Sequence, residues 1–333
     1  MRDLRRRGEY AFPSVHPRQF LQHPLWVAGH AVLPLSGIAN ARTVYCNESG
    51  AYLVFDSDEW GFNNPQGTRS KPVEIALIGD SFVQGACVPV GTGFGDLLRK
   101  ARGAVYNTGM GGNGPLLEYA AFKEFVAPLK PKMVFWFYFE GNDPAELAGE
   151  WRAPVLLRYL DEGFTQNLAG VAADVDLALQ EYVNQRFADL LAGRAEVNPA
   201  HPRASFVRLE RLSSRFETLT RRAFKLDERR LEQIWTLTKQ KTESWGGRLV
   251  VVYLPSRQRY VDPSQTRQLR DVEVTARRVA TRLGLDYVDI PARFERNENP
   301  EKLYYQHFNE EGNRVVADAL VEYRNAQPTA QGR

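Results

Sequence analysis

Cysteine is nearly absent from this chain: Cys46 and Cys87 are the only two in 333 residues. Two thiols exclude a disulfide-dense scaffold, and their spacing is not that of a zinc site. They either pair in an oxidising compartment or sit as small buried apolar side chains. An excess of one charge is lacking too. Lys and Arg total 43 against 40 Asp and Glu, a formal net charge of +3, which is too mild to argue for nucleic acid. The Arg-rich stretch 208–230 is interleaved with Glu210, Glu217, Asp227, Glu228 and Glu232, so it reads as a solvated helix face rather than a phosphate-binding stripe. The run Arg2 to Arg7 is either a polar start or a membrane-proximal basic segment. No apolar run approaches the ~20 residues that cross a bilayer, and the N-terminus lacks the apolar centre of a signal peptide. Either the chain is cytoplasmic or an export segment or anchor lies outside it. An extracytoplasmic or membrane-associated location is slightly favoured, with membrane association only through such an outside segment. HExxH, a Walker A loop and any His/Asp cluster with metal-ligand spacing are missing, so no metal or other cofactor is expected.

What is present is an ordinary globular composition, 43% hydrophobic and 25% charged. Residues 1–70 read as an irregular N-terminal extension packed on the core. Pro13, Pro17, Pro24 and Pro34 interrupt any helix there, and 51–55 (Ala-Tyr-Leu-Val-Phe) has strand composition. From residue 71 the pattern becomes regular. Short apolar runs at 73–78, 105–107, 133–139, 248–254 and 287–290 alternate with helical periodicity near 94–100, after Pro115, over 265–283 and around Val315–Leu320. Strands alternating with helices predict an α/β fold, a three-layer α/β/α sandwich around a five-stranded parallel sheet of flavodoxin-like type. The core is assigned to 71–149 and 246–326. Between them, 150–245 loses all strand signal and reads as a helical insertion, a candidate lid. A loop breaks it at Asn198–Pro202, and a helix from about Arg229 returns to the core. The tail, 327–333, reads as disordered.

In parallel sheets of this kind, sites form at the carboxyl ends of the strands. The first core strand ends in Gly79-Asp80-Ser81-Phe82, which puts a hydroxyl at the crevice, although Asp80 and Ser81 equally suit a helix cap. The second ends in Asn107-Thr108-Gly109-Met110-Gly111-Gly112-Asn113-Gly114, whose glycines allow backbone N–H groups to point at an anionic oxygen; a plain flexible loop is the alternative. The third ends in Glu140-Gly141-Asn142-Asp143, where an Asn amide either donates to developing negative charge or simply makes a turn. Of five histidines, only His307 follows the fifth strand and precedes the last helix. It is therefore the candidate general base for a serine nucleophile. Each signal is ambiguous alone; together they set a nucleophile, oxyanion donors and a base on four strand ends of one sheet.

This order of blocks resembles the SGNH (GDSL-like) hydrolase superfamily. The likeness covers 73–145 and 248–323. The first seventy residues, with Cys46-Asn47-Glu48 and the segment 58–65 (Asp-Glu-Trp-Gly-Phe-Asn-Asn-Pro), look similar to an uncharacterised bacterial subgroup of it. The resemblance implies a serine hydrolase with Ser81 as nucleophile and His307 as base. It implies an oxyanion hole formed by the Ser81 and Gly112 N–H groups and the Asn142 amide. It also implies esterase activity on small acyl groups, O-acetyl groups of a carbohydrate foremost, through a Ser81 acyl-enzyme. The partner expected is thus a small-molecule or glycan ester, without nucleic acid. Trp136, Tyr138 and Trp151 are candidates for stacking on a sugar, with core packing as the alternative for the first two. One departure stands out: the superfamily places Asp three residues before the histidine, and here that residue is Tyr304. His307 is then oriented by a backbone carbonyl in a Ser–His dyad, or by a substitute acid such as Asp289 or Glu301. Two other functions fit the same residues: carbohydrate O-acyl transfer, and a non-catalytic protein of this fold.

Overall fold

The computed structural model describes residues 7, 10–192 and 226–327. The Asn198–Pro202 loop, the middle of the insertion, nearly all of the first Arg run and the tail from Pro328 lie outside the described residues.

Among the described residues, ten short strands form three sheets. In the extension, β1 (Ala11–Pro13), β4 (Arg42–Val44) and β5 (Val54–Asp56) make one sheet, and β2 (Leu25–Val27) pairs with β3 (His30–Val32) in a hairpin. The strand expected at 51–55 therefore begins later, because Ala51 and Tyr52 belong to the exposed loop joining β4 to β5. The central sheet holds β6 (Ile75–Ile78), β7 (Val105–Asn107), β8 (Met133–Phe139), β9 (Arg248–Leu254) and β10 (Asp286–Asp289) in the order β10-β9-β8-β6-β7. Every pair in it is parallel. Counted along the core, this is the 2-1-3-4-5 order of doubly wound sheets, whose switch point lies beside the first strand.

Alternation along the strands splits the interior into two clusters. Ala76, Ile78, Val134, Trp136, Tyr138, Val251 and Tyr253 face one layer, where the N-terminal extension also packs. Ile75, Leu77, Phe135, Phe137, Val250 and Val252 face the other, against Phe94, Leu98, Val316 and Leu320. Because both faces are covered, the strands read as continuous apolar runs instead of alternating ones. Trp136 and Tyr138 are wholly buried. They are core residues and offer no face to a sugar. Trp151 is half-buried, with the Arg230 guanidinium 4.8 Å from its ring.

The described part of 150–245 is helical or irregular, with helices Pro154–Arg158, Ala172–Leu191 and Glu228–Glu243. Asp227 caps the last of these by accepting the Arg230 N–H, and Leu231, Ile234 and Trp235 fasten it to the sheet face. The Ala172–Leu191 helix packs on β1 and β2, and its Asp176 accepts the Ala39 N–H at 2.6 Å. This portion buttresses the extension. No described helix is long and apolar enough to cross a membrane.

Candidate active site

The site is built on the switch point. Gly79 follows β6, and an added Cβ there would meet Val83 Cγ2 at 2.4 Å and Phe137 Cβ at 3.1 Å, so only glycine fits. Asp80 then caps a four-residue helix, Ser81–Gln84, its carboxylate accepting the Phe82 N–H. Capping is thus done by Asp80 and leaves the Ser81 hydroxyl available. Ser81 Oγ lies 2.8 Å from His307 Nε2. Burial pushes the Asp80 carboxyl up, while the Phe82 N–H, His307 and Asn142 pull it back.

His307 sits between a 3-10 turn, Pro300–Leu303, and the helix Glu310–Ala326, whose cap Asn309 accepts the Gly312 N–H. Its other nitrogen faces a carboxylate that the sequence reading missed. Glu48 Oε1 is 2.7 Å from His307 Nδ1, and Glu48 Oε2 accepts the backbone N–H groups of His307 at 2.8 Å and Gln306 at 3.0 Å. An ionised carboxylate only accepts, so Nδ1 carries the proton and Nε2 keeps its lone pair for the Ser81 hydroxyl. Burial alone would raise the Glu48 carboxyl. The hydrogen bond and charge of His307 and the two backbone N–H groups outweigh it and hold the group below the ordinary glutamate range.

The candidate acids Asp289 and Glu301, and the dyad held by a backbone carbonyl, are therefore corrected. Asp289 is engaged with Arg277 and with the Ala292 N–H. Glu301 lies in the first turn of the 3-10 segment. Tyr304, where the superfamily has its Asp, turns inward: its hydroxyl donates to the Pro255 carbonyl and its ring packs on Phe294 and Phe308. The orienting acid comes instead from 259 residues earlier in the chain.

The N-terminal extension holds Glu48 in place. Cys46 and Cys87 form a disulfide, tying the loop that carries Glu48 to the segment just after the Ser81 helix. On the chain-entropy estimate, a 41-residue loop closed this way stabilises by about 4 kcal/mol. The Cys46→Ala/Cys87→Ala double variant is expected to lose much of that in chemical unfolding and to turn over esters several-fold more slowly. Unchanged kcat would show that Glu48 needs no such anchor. Glu48, Cys87 and His307 are also the one grouping of metal-type ligands found among the described residues. With the sulfur in a disulfide and both imidazole nitrogens engaged, it is not a metal centre. The segment 58–65 clamps the neighbouring strand end. Asn64 accepts the Asn107 N–H and donates to the Asn107 carbonyl, Asp58 holds the same Asn64 amide, and Asn63 donates to the Gln84 carbonyl.

The oxyanion candidates are Ser81, Gly112 and Asn142. Among the described residues neither the Ser81 nor the Gly112 N–H meets an acceptor. Gly112 has φ +75°, the left-handed region that favours glycine. Asn142, three residues beyond β8, donates one amide hydrogen to Asp80 Oδ2 at 3.3 Å. A serine hydroxyl hydrogen-bonded to an imidazole that a carboxylate orients is suited to nucleophilic acyl transfer.

The GDSL-like lipase/acylhydrolase family matches this sequence over residues 77–315, well over half of the chain. The chain belongs to that family. As a GDSL-like protein it is a hydrolase of the SGNH superfamily, and its five-stranded sheet with flanking helices is the fold of that group. Similar solved structures include the acetyl xylan esterase AlAXEase, 16% identical, with 75% of this chain and 99% of that one covered at a TM-score of 0.44. The acetylxylan esterase Axe2 of Geobacillus stearothermophilus is 13% identical over 77% of this chain and 95% of that one, at 0.46. The lipase/acylhydrolase of Enterococcus faecalis is 12% identical over 78% and 100%, at 0.43. No curated protein matches the sequence. Within the GDSL-like pattern, Glu48 stands outside the matched segment, which is why the family's motifs do not point to it.

Proposed function

We propose that this GDSL-like hydrolase is a serine esterase that removes small acyl groups, O-acetyl groups of a carbohydrate foremost, through an acyl-enzyme on Ser81. The observation that carries the reading is the hydrogen-bonded line Ser81 Oγ–His307 Nε2 and His307 Nδ1–Glu48 Oε1, at 2.8 and 2.7 Å. Ser81 Oγ attacks the ester carbonyl carbon while His307 Nε2 takes its proton. Glu48 stabilises the imidazolium that forms. The carbonyl oxygen becomes the oxyanion, held by the Ser81 and Gly112 N–H groups and the Asn142 amide. His307 returns the proton to the leaving alkoxide, and the C–O bond breaks to free the alcohol. Water then attacks the acyl carbon as His307 takes its proton; the Ser81 Oγ–C bond breaks, His307 returns the proton to Oγ, and the carboxylic acid leaves. The small-acyl and carbohydrate preferences rest on the family resemblance. The Cys46–Cys87 disulfide supports an oxidising, extracytoplasmic compartment.

The test is hydrolysis of a nitrophenyl ester series and of an acetylated xylo-oligosaccharide, with free acid and acylated products both measured. Acetate esters should be turned over fastest, with free acetate as product. Acetyl appearing on an added sugar in place of free acetate would make the protein a transferase, and turnover of none of these esters would reject the reading. In the same assay Asn142→Ala should lower kcat about 100-fold to 1,000-fold, the usual cost of one oxyanion donor, with little change in KM. An unchanged kcat would remove Asn142 from the oxyanion hole.

A further inference from the structure

His16 lies far from the strand-end motifs in sequence, yet it touches the oxyanion loop. Its Nδ1 is 2.6 Å from the Gly111 carbonyl oxygen. A carbonyl only accepts, so Nδ1 carries the proton. We propose that His16 is a positioning residue for the oxyanion hole: by holding the Gly111 carbonyl it orients and polarises the Gly111–Gly112 peptide, whose N–H faces the reacting oxygen. This role rests on the esterase reading above.

The peptide bond is a rigid plane, so fixing the Gly111 C=O fixes the direction of the Gly112 N–H at its other end. A bond to the carbonyl also strengthens the N–H as a donor, by about 10–30% per bond in a hydrogen-bonded chain. The contact is close. A Cβ on Gly111 would meet His16 Cε1 at 2.3 Å, His16 Nδ1 at 2.5 Å and the Tyr45 hydroxyl at 2.3 Å. On its own N–H side Gly111 is held by Gln84 Oε1 at 2.8 Å, so the loop is gripped from two directions. His16 is itself fixed. It opens the 3-10 turn Pro17–Phe20, whose Pro17 and Phe20 are buried, its carbonyl accepts the Gln19 N–H, and its ring lies 5.4 Å from that of Tyr45. Burial lowers the His16 pKa and the Gly111 bond opposes this, so the ring is neutral near neutral pH. The Nδ1–H donor exists in the charged form as well, so protonation does not break the contact.

Two variants separate donor from packing. His16→Phe keeps a ring and loses the donor. His16→Asn loses the ring and keeps an N–H at the place of Nδ1. Protein labelled with carbonyl-13C and 15N glycine shows only directly bonded Gly–Gly pairs in a carbonyl-to-amide correlation spectrum. This chain has two, Gly111–Gly112 and Gly246–Gly247, so the second is an internal control. His16→Phe should move the Gly111–Gly112 peak, leave the control in place, and lower kcat on an acetate ester about tenfold to a hundredfold with KM within about twofold. His16→Asn should restore both peak and kcat. The role is overturned if His16→Phe leaves the Gly112 peak in place, if the peak moves while kcat holds, or if the control moves too. It is equally overturned if His16→Asn fails as badly as His16→Phe. Wild-type protein that turns over no ester defeats the esterase reading itself and this role with it, and is recognised before any variant is compared.

Discussion

Glu48→Gln is expected to lower kcat by about 1,000-fold to 10,000-fold with little change in KM, as when the acid of a serine triad becomes an amide. The reason is the tautomer. Glu48 takes the His307 Nδ1 proton as acceptor and holds the His307 and Gln306 backbone N–H groups with its other oxygen. Glutamine keeps one oxygen for those backbone groups, so the loop stays in place. Its NH₂ then faces Nδ1 as a donor and favours the proton on Nε2, which then has no lone pair to accept the Ser81 hydroxyl proton. Glu48→Asp keeps the charge on a shorter side chain and should lose less. The same residue has a signature in stability. Its carboxyl is held below its ordinary value of 4.5 in the folded protein. A depressed acid stabilises the fold above its unfolded pKa, and the contribution is lost as pH falls through the folded value. The Tm advantage of wild type over Glu48→Gln should therefore hold from neutral pH to about 4.5 and shrink below it. A constant difference across that window, or a Glu48→Gln variant of full activity, would return His307 to a dyad.

Ser81→Ala is expected to abolish turnover to within about 1,000-fold of the uncatalysed rate, a loss on the order of 10⁶-fold in kcat if the site resembles other serine hydrolases in scale. The residue that remains is a methyl group at the head of a helix already capped by Asp80. The fold should be unaffected and Tm should move by no more than a degree or two. Residual catalysis would come from the Gly112 and Asn142 donors, which the substitution leaves standing. Activity surviving at a tenth of wild type would mean another nucleophile.

Much of this site is legible in the sequence because it depends on local chemistry. Gly79 must lack a side chain where β6 meets the Ser81 helix, and Asn142 lies in the short turn between β8 and the helix Asp143–Glu150. Such constraints act over a few residues and leave motifs. Glu48 and His16 work across long separations, through an extension whose strands are three residues long. A short loop acid and a lone histidine carry no periodicity, and nothing local distinguishes them from surface residues. The available signals were indirect. Tyr304 stands where an acid was expected, which called for a carboxylate from elsewhere. Cys46 and Cys87 bracket Glu48 and the Ser81 helix, so pairing them would have brought the acid to the nucleophile. Asp289 ends a core strand, as a site acid would, but its guanidinium partner Arg277 occupies it.

The central claim, that Glu48 and His307 activate Ser81 as a nucleophile, is tested most directly by intact-mass measurement after exposure to a fluorophosphonate. Wild-type protein should gain one adduct, mapped to Ser81. Ser81→Ala should gain none, and Glu48→Gln should react far more slowly. Folded wild-type protein that stays unmodified, or an adduct that persists in Ser81→Ala, would contradict the account.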